Sequence, residues 1–225
     1  MDFGREGSGK VTDKIMWKEL PMLFQGTADI FTEKKDELCE MDAKMGDGDL
    51  GLTMQKGFGA LPKLIRDNSV EGDIGKTLMK AGMKMAGLVP STMGTLMSSG
   101  IMEGGKKLAG KEEIGPEELC GFLTGFAQGI ARRGKCQTGD RTIFDAVDAG
   151  AKRAGEAYAS GADMAGIICG AVEGAKTGVA ATKDMVPKYG KAAVFSSKAR
   201  GIPDQGAVAG QYFLEGLARY FQDKN

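Results

Sequence analysis

An acidic, glycine-rich stretch between residues 42 and 51 carries the clearest chemical signal in the chain. It contains Asp42, Asp47 and Asp49, and glycines stand between and after them. Glycine lets the backbone turn sharply, so side chains that are close in sequence can converge on one point. Carboxylates that converge repel each other unless a cation lies between them. Because hard divalent cations prefer oxygen ligands, the stretch predicts a metal site with these three aspartates.

Two other loop types are compatible with the composition of this stretch. An EF-hand loop needs a glutamate at its twelfth position, but counting from Asp47 places Phe58 there, so we reject it. A polar helix–helix loop with solvated acids is the remaining alternative. Asp47 and Asp49 share a face only where the backbone is extended. We therefore expect both in a loop, with the next helix beginning near Gly51.

The composition of the chain disfavours several classes of function. The 225 residues include 30 basic and 30 acidic side chains, so the formal net charge is zero. No basic stripe stands out, which disfavours nucleic-acid and membrane-surface binding. The sequence shows neither a long apolar run nor a signal-peptide pattern, and a cytoplasmic location is the expectation.

The chain contains no histidine, which excludes histidine acid–base chemistry and histidine metal ligation by this chain. Its four cysteines are scattered without a C-x-x-C pair, and we interpret them as small reduced core residues. They are Cys39, Cys120, Cys136 and Cys169.

The N-terminal segment resembles a phosphate-binding Walker A loop, but it fails twice. Val11 stands where Ser or Thr would hold Mg²⁺, and no strand can precede a loop at this position. We interpret residues 1–12 as a flexible tail and residues 13–225 as a single domain.

Helical periodicity runs through the rest of the chain, and no convincing strand alternation appears. Predicted helices lie at about 13–20, 22–44, 52–67, 73–86, 91–108, from 116, 142–158, from 163, and around 207–221. Glycines recur along two of these helices, at positions 121, 125 and 129 and at 166, 170, 174 and 178. Such stripes favour close helix packing. The pattern predicts an all-α fold of about eight amphipathic helices, mostly up-and-down with short loops.

Three further loops could take part in a site. Ser91 and Thr92 form either an anion cradle at a helix N-terminus or an ordinary N-cap. Asp140 is either a capping or a functional residue. The segment 188–207 carries four cations and is a candidate phosphate clamp. In an up-and-down bundle, alternate loops lie at one end, so we expect these loops beside the acidic stretch.

Three motifs together resemble the nucleotide-binding (L-type) subunit of dihydroxyacetone kinases. The family pattern L-D-x-x-[IV]-G-D-[GA]-D-H-G is matched by residues 41–51. Residues 133–143 match R-G-x-x-x-P-G-D-K-T-M, and residues 190–193 with 204–207 match G-R-A-S…D-P-G-A. The matches keep their order and span most of the chain.

The resemblance implies an up-and-down eight-helix barrel that binds ADP or ATP at one end through two Mg²⁺ ions. Asp42, Asp47 and Asp49 would be the metal ligands. The nucleotide contacts that it implies are Leu50, Gly51, Leu52 and Thr53 beside the phosphates, Ser91 and Thr92 at a phosphate, Gly134 and Ile143 flanking the adenine, and Lys191 and Asp204 closing the site.

The chain departs from the family pattern at four places. Leu50 replaces the family's His, Thr53 replaces Asn, Lys191 replaces Arg, and Gln205 replaces Pro. The metal ligands are kept, whereas the phosphate contacts differ. The sugar and the phosphate donor are therefore left open.

The function implied is phosphoryl transfer carried by metal ions and positioning, without a catalytic residue from this chain. The substrate would be dihydroxyacetone or a related keto-sugar such as erythrulose, held by a separate K-type subunit through a histidine. The donor would be exchangeable ATP, or held ADP recharged by a phosphotransferase-system protein. A non-catalytic nucleotide-binding regulatory subunit is the first alternative, and an unliganded structural bundle is the second.

Overall fold

The computed structural model describes residues 14–189, 193 and 199–222. The helices among these residues are α1 (Leu20–Leu23), α2 (Gln25–Glu33), α3 (Lys35–Ala43), α4 (Leu50–Asp67), α5 (Ile74–Leu88), α6 (Thr92–Lys107), α7 (Pro116–Gly134), α8 (Ile143–Ala159), α9 (Met164–Ala181) and α10 (Gln205–Gln222). A short antiparallel pair, β1 (Ile15–Met16) with β2 (Glu113–Ile114), places Ile15 opposite Ile114.

The predicted helix over 13–20 is wrong in its first part. Residues 15 and 16 are extended because they pair with β2, and the Trp17 amide donates to the Glu112 carbonyl over 2.9 Å. Two residues are too few to show strand alternation, so no sequence pattern predicted this strand pair. A 3-10 turn (Trp17–Glu19) then leads into α1.

The predicted helix over 22–44 is present as three consecutive segments, α1 to α3. The breaks fall at Phe24 and Lys34, whose ψ angles are close to zero (−4° and 7°). Backbone hydrogen bonds still cross both breaks, from Ala28 to Phe24 and from Leu38 to Lys34. The three segments therefore behave as one bent helix.

Counted in this way, eight helices of the described part of the chain pack side by side in sequence order, and the last closes the ring on the first. At the closure, a Cβ on Gly26 in α2 would come closer than 3.0 Å to the Gly216 carbonyl oxygen in α10. Contact this close requires glycine on both helices. The predicted all-α eight-helix barrel is confirmed.

Most glycines of the two stripes mark close helix pairs, as their spacing predicted. A Cβ on Gly129 in α7 would lie 2.5 Å from the Ser99 carbonyl oxygen in α6. Cβ atoms on Gly174 and Gly178 in α9 would collide with α8 backbone oxygens in the same way. The propensity lost at these glycines is offset by tight packing of neighbouring helices.

Phenylalanines from four helices fill the middle of the ring. Phe126 and Phe213 stack with ring centroids 4.2 Å apart, and Phe58 lies 5.6 Å from Phe213. Phe31 continues the row, 4.7 Å from Phe58. The row therefore joins α2, α4, α7 and α10 through the core.

Some expectations concern the chain's surface and its beginning. The residues that the structure describes include no helix of the length and apolarity that a membrane span requires. The cysteines are free, but Cys169 is exposed, so its interpretation as a core residue is wrong. The Walker-like segment lies outside the described residues, and the division into a tail and one domain stays a prediction.

Candidate metal centre

The loop between α3 and α4 brings the three predicted carboxylates together. Asp42, Asp47 and Asp49 each offer an oxygen within 4.8 Å of the others. Asp42 is buried, with 8% of its surface exposed, whereas the other two are exposed. Gly48 makes the turn between them at a φ of +78°, a backbone angle that favours glycine.

The Asp42 carboxylate is fixed by hydrogen bonds. Its Oδ2 accepts from the amides of Gly48 (2.9 Å) and Asp49 (3.2 Å). Its Oδ1 accepts from the side-chain amide of Gln205 over 3.3 Å. A Cβ on Gly46 would collide with Oδ1, so the loop must leave that position without a side chain.

This donor set fits a hard divalent cation such as Mg²⁺. All three groups are carboxylates, the ligand type that such cations prefer. Within the described ranges, no other group of three or more His, Cys, Asp or Glu side chains meets the same spacing. The prediction that these acids converge is supported, and their binding of metal stays a prediction.

The N-terminus of α4 lies directly beside the acids. Asp49 is its N-cap residue but makes no side-chain capping bond, unlike the N-caps of α6 and α8. The first-turn amides, with the helix dipole, favour an anion there. Gly51 is buried, and a Cβ on it would collide with the Lys35 carbonyl oxygen of α3. Leu52 is 55% exposed.

The starts of α6, α8 and α10 meet at this same end. Gly206 lies against both Met93 and Ile143: a Cβ on it would be 3.1 Å from Met93 Cε and 3.3 Å from the Ile143 amide nitrogen. The bond from Gln205 to Asp42 joins α10 to the acidic loop. The expected gathering of the loops at one end is therefore borne out by these contacts.

Ser91 is an ordinary N-cap in this structure. Its hydroxyl accepts from the Gly94 amide over 3.0 Å, and its carbonyl accepts from the Thr95 hydroxyl. Thr92 begins α6. An anion role for these two residues stays a prediction.

The proposed adenine neighbours lie on the next two helices. Gly134 is the last residue of α7, and a Cβ there would lie 3.1 Å from Leu96 and from Cys136. Ile143 begins α8 and is 1% exposed, so its side chain packs within the core.

Of the two roles left open for Asp140, the capping of α8 is wrong. Thr142 is the N-cap, and Asp145 completes a capping box with it. Asp140 instead accepts from the Gln137 amide and forms an ion pair with Lys188. These contacts, first the Lys188 hydrogen bond, lower the pKa of Asp140.

The family model described as DAK2 domain matches residues 44–219. The chain belongs to the DAK2-domain family. The match begins two residues after Asp42.

Two bacterial relatives of this DAK2 domain are described as ADP-binding subunits, named DhaL, of PEP-dependent dihydroxyacetone kinases. The subunit of kinase 2 from Listeria innocua is 30% identical over 186 residues, covering 82% of this chain and 86% of the relative. The Escherichia coli subunit is 24% identical over 190 residues, covering 84% and 90%. The human protein named triokinase/FMN cyclase is 23% identical, and the chain spans 35% of it.

Solved structures share the fold of this DAK2 domain. The dihydroxyacetone kinase of C. freundii in its native form matches with a TM-score of 0.65 and 20% identity. The same kinase in complex with AMP-PNP and Mg²⁺ gives 0.65 and 21%. Each match covers 97% of this chain, which spans only 38% and 37% of the kinase chains.

Asp204 lies in the wall of the DAK2 domain at the start of α10. It is 5% exposed, and its carboxylate accepts from the Ala207 amide over 2.9 Å. Burial raises the pKa of Asp204 to about 6, and the charge of Asp145 adds to this, against the Ala207 amide and Arg141. The other residue predicted to close the site, Lys191, lies outside the described residues.

Sequence reasoning missed Arg141, which braces this end of the DAK2 domain. It has a φ of +59° and is 2% exposed. Its guanidinium donates to three carbonyl groups and lies 3.7 Å from Asp204, and the acceptors are Thr182 (3.1 Å), Ala199 (3.1 Å) and Ile202 (2.8 Å). Its partners lie at least 41 residues away in sequence, so no local pattern could reveal this role.

Proposed function

We propose that this chain is the nucleotide-binding subunit of a kinase for dihydroxyacetone or a related keto-sugar. The observation that carries the proposal is the convergence of Asp42, Asp47 and Asp49 beside the N-terminus of α4. A divalent cation and a phosphate chain fit this combination of carboxylates and helix amides. The family and the two relatives described as ADP-binding subunits support it.

In this proposal, the three aspartates hold two Mg²⁺ ions that in turn hold ADP or ATP. The first-turn backbone of α4 receives the phosphates, and Ser91 with Thr92 contacts a phosphate from α6. The proposed phosphate contacts on α4 are Leu50, Gly51, Leu52 and Thr53. Gly134 and Ile143 lie beside the adenine, and Lys191 and Asp204 close the site.

Metal ions at this position would neutralise charge on the phosphoryl group during its transfer. The chain's own residues would bind and orient the metal ions and the nucleotide. Buried Asp42 is held by three N–H donors, and the first turn of α4, whose amides have no partner within the helix, begins beside it. No histidine exists to bind a hydroxyketone covalently, which agrees with a separate K-type subunit that holds the sugar.

Different relatives support the proposed donor and the proposed sugar. The descriptions "PEP-dependent" favour held ADP that a phosphotransferase-system protein recharges, over exchangeable ATP. A relative named L-erythrulose 1-kinase, from Mycolicibacterium smegmatis, is 26% identical but extends well beyond this chain, which spans 33% of it. Erythrulose therefore stands beside dihydroxyacetone as a candidate substrate. A cytoplasmic location, expected from the sequence, stays a prediction.

Calorimetric titration with Mg-ADP tests the binding half of the proposal. The Asp47→Ala/Asp49→Ala double variant should lose binding, because two of three carboxylates are gone. The matched control is Asp36→Ala/Asp67→Ala, which removes two exposed aspartates elsewhere and should bind as the wild type does. Wild-type affinity in the first variant would refute the metal assignment.

Mixing the chain with a K-type subunit tests the catalytic half. Phosphorylation of dihydroxyacetone or erythrulose, supplied with ATP or with a phosphotransferase-system donor, would support the kinase. Tight Mg-ADP binding without phosphoryl transfer by either donor would favour the alternative, a non-catalytic nucleotide-binding regulatory subunit.

A further inference from the structure

We propose that Gln205 is a positioning residue of the metal centre, which holds Asp42 in the orientation that a divalent cation requires. The inference rests on the proposed function, since it assigns a role within the same site. It concerns a residue at which this chain departs from the family pattern.

A direct hydrogen bond joins Gln205 to Asp42. Gln205 Nε2 donates to Asp42 Oδ1 over 3.3 Å, across 163 residues of sequence. The other oxygen, Oδ2, is already bound by the amides of Gly48 and Asp49. With donors on both oxygens, the carboxylate cannot rotate freely. Groups that orient a metal ligand in this way commonly change metal affinity by 10–100-fold when they are removed.

The oxygen of the same side-chain amide, Gln205 Oε1, also points to a role at the metal centre. Gln205 Oε1 is buried and finds no hydrogen-bond partner among the residues that the structure describes. A buried carbonyl oxygen without a partner is costly. Because Oε1 and Nε2 share one carbon atom, this oxygen also lies near Asp42. An oxygen at this place can accept from water bound to a cation, which would relieve the cost.

The backbone that carries Gln205 is held on both sides. Immediately before it, the Asp204 amide donates to the Thr182 hydroxyl over 2.9 Å, and the Asp204 carboxylate caps α10. Immediately after it, Gly206 packs tightly against α6 and α8. The side chain therefore starts from a fixed point, as a preorganised site requires.

The acidic loop is braced from the same direction. Met45 is 2% exposed and packs against Ala199 and Ile202. Arg141 in turn holds the carbonyl groups of those two residues. The loop and the start of α10 therefore form one packed unit, and Gln205 is its polar link to a predicted metal ligand.

Proline, the residue of the family pattern, could not make this link because it has no side-chain amide. It suits the first position of a helix, which Gln205 occupies in α10. Gln205→Pro should therefore keep the helix start while removing the contact. Gln205→Leu removes the amide and keeps a similar volume. Gln211→Leu is the matched control, because Gln211 lies on the same helix and its side-chain amide donates along that helix, to Glu215.

The experiment is a calorimetric titration of each variant with Mn²⁺ in the presence of saturating ADP, and separately with Mn²⁺ alone. Both Gln205 variants should bind Mn²⁺ about tenfold or more weakly than the wild type. Gln211→Leu should match the wild type. The metal-free melting temperatures of the variants should differ little from that of the wild type. A merely structural role would instead lower the melting temperature and leave the Mn²⁺ affinity intact.

Mn²⁺ affinity within twofold of wild type in both Gln205→Leu and Gln205→Pro would overturn the inference. If Gln205→Leu does not fold, Gln205→Pro decides alone, since its helix start is preserved. The Asp47→Ala/Asp49→Ala variant separates the two proposals. Loss of binding there, with unchanged binding in the Gln205 variants, rejects the role of Gln205 and leaves the proposed function standing. A wild type that binds no Mn²⁺ rejects both.

Discussion

The buried Asp42 carboxylate depends on a neighbour that has no side chain. Any Cβ at Gly46 would collide with Asp42 Oδ1, the oxygen that also faces Gln205. The sequence shows the glycine as one of several in a turn-rich stretch. The structure shows that this particular one makes room for a predicted metal ligand.

Gly46→Ala should therefore weaken divalent binding about tenfold or more, because Asp42 must move to admit the methyl group. Gly59→Ala is the control, since a Cβ there has no neighbour within 4 Å. Mn²⁺ titration by calorimetry measures both variants. Equal affinity in the two would show that the position of Asp42 does not matter.

Two buried N-cap aspartates should affect stability with opposite pH dependence. The pKa of Asp204 is raised to about 6, chiefly by burial. Burial also acts to raise the pKa of Asp73, but the amides of Lys76 and Gly110 and the Lys76 ammonium outweigh it, and that pKa is lowered.

For Asp204, the unfolded state ionises first as the pH rises, so the free energy of unfolding should fall between about pH 4 and pH 6. For Asp73, the folded state ionises first, so its contribution is present above about pH 4 and lost below it. Urea unfolding of the wild type, Asp204→Asn and Asp73→Asn across this range measures both. The same slope in wild type and Asp204→Asn would contradict the first part.

Residues that act through near neighbours could be predicted, and residues that act across the fold could not. Asp42, at the end of α3, is followed within eight residues by Asp47 and Asp49 in the next loop, so their spacing alone indicated convergence. Arg141 and Gln205 bond to groups distant in sequence, and only the packed barrel brings those groups within reach.

At the scale of elements, one helix offers an internal test of the glycine stripe. In α7, a Cβ on Gly129 would lie 2.5 Å from the Ser99 carbonyl oxygen, whereas a Cβ on Gly121 would meet only Lys107 at 3.8 Å. Gly129→Ala should lower the free energy of unfolding by about 2 kcal/mol through overpacking. Gly121→Ala should raise it by up to about 1 kcal/mol through helix propensity. Chemical denaturation measures both, and equal signs would refute the packing argument.

Arg141 joins α8 to the residues between α9 and α10. Arg141→Lys should lower the free energy of unfolding by about 3 kcal/mol, because a lysine cannot satisfy all three carbonyl groups in a buried place. Arg153→Lys is the control, since Arg153 is 57% exposed and pairs only at the surface with Glu156. Urea midpoints compare them. A change at Arg141 no larger than that at Arg153 would show that the brace is not needed.

Helix periodicity placed most elements well, because each helix buries one apolar face. It failed for residues 15–16, where the partner strand lies about a hundred residues further on. It also could not place the breaks at Phe24 and Lys34, which only the bend of the chain around the core requires.

For the whole molecule, the starts of α4, α6, α8 and α10 lie at one end, beside the acidic loop. Mg-ADP at about 100 times its Kd should then stabilise the fold by about 2.7 kcal/mol. ADP with EDTA should give a much smaller shift, because the phosphates would meet uncompensated carboxylates. Thermal unfolding with Mg-ADP, Mg-AMP and ADP–EDTA measures this. Equal shifts with and without Mg²⁺ would contradict a shared site.

The bond between Gln205 and Asp42 bears on how the protein is made. Asp42 leaves the ribosome long before α10 does, and α10 also closes the ring against α2. A nascent chain that ends before residue 205 holds its three acids on an open edge, without the last wall. The predicted metal centre is therefore completed only once α10 has been synthesised, whereas the helices that surround it can form earlier.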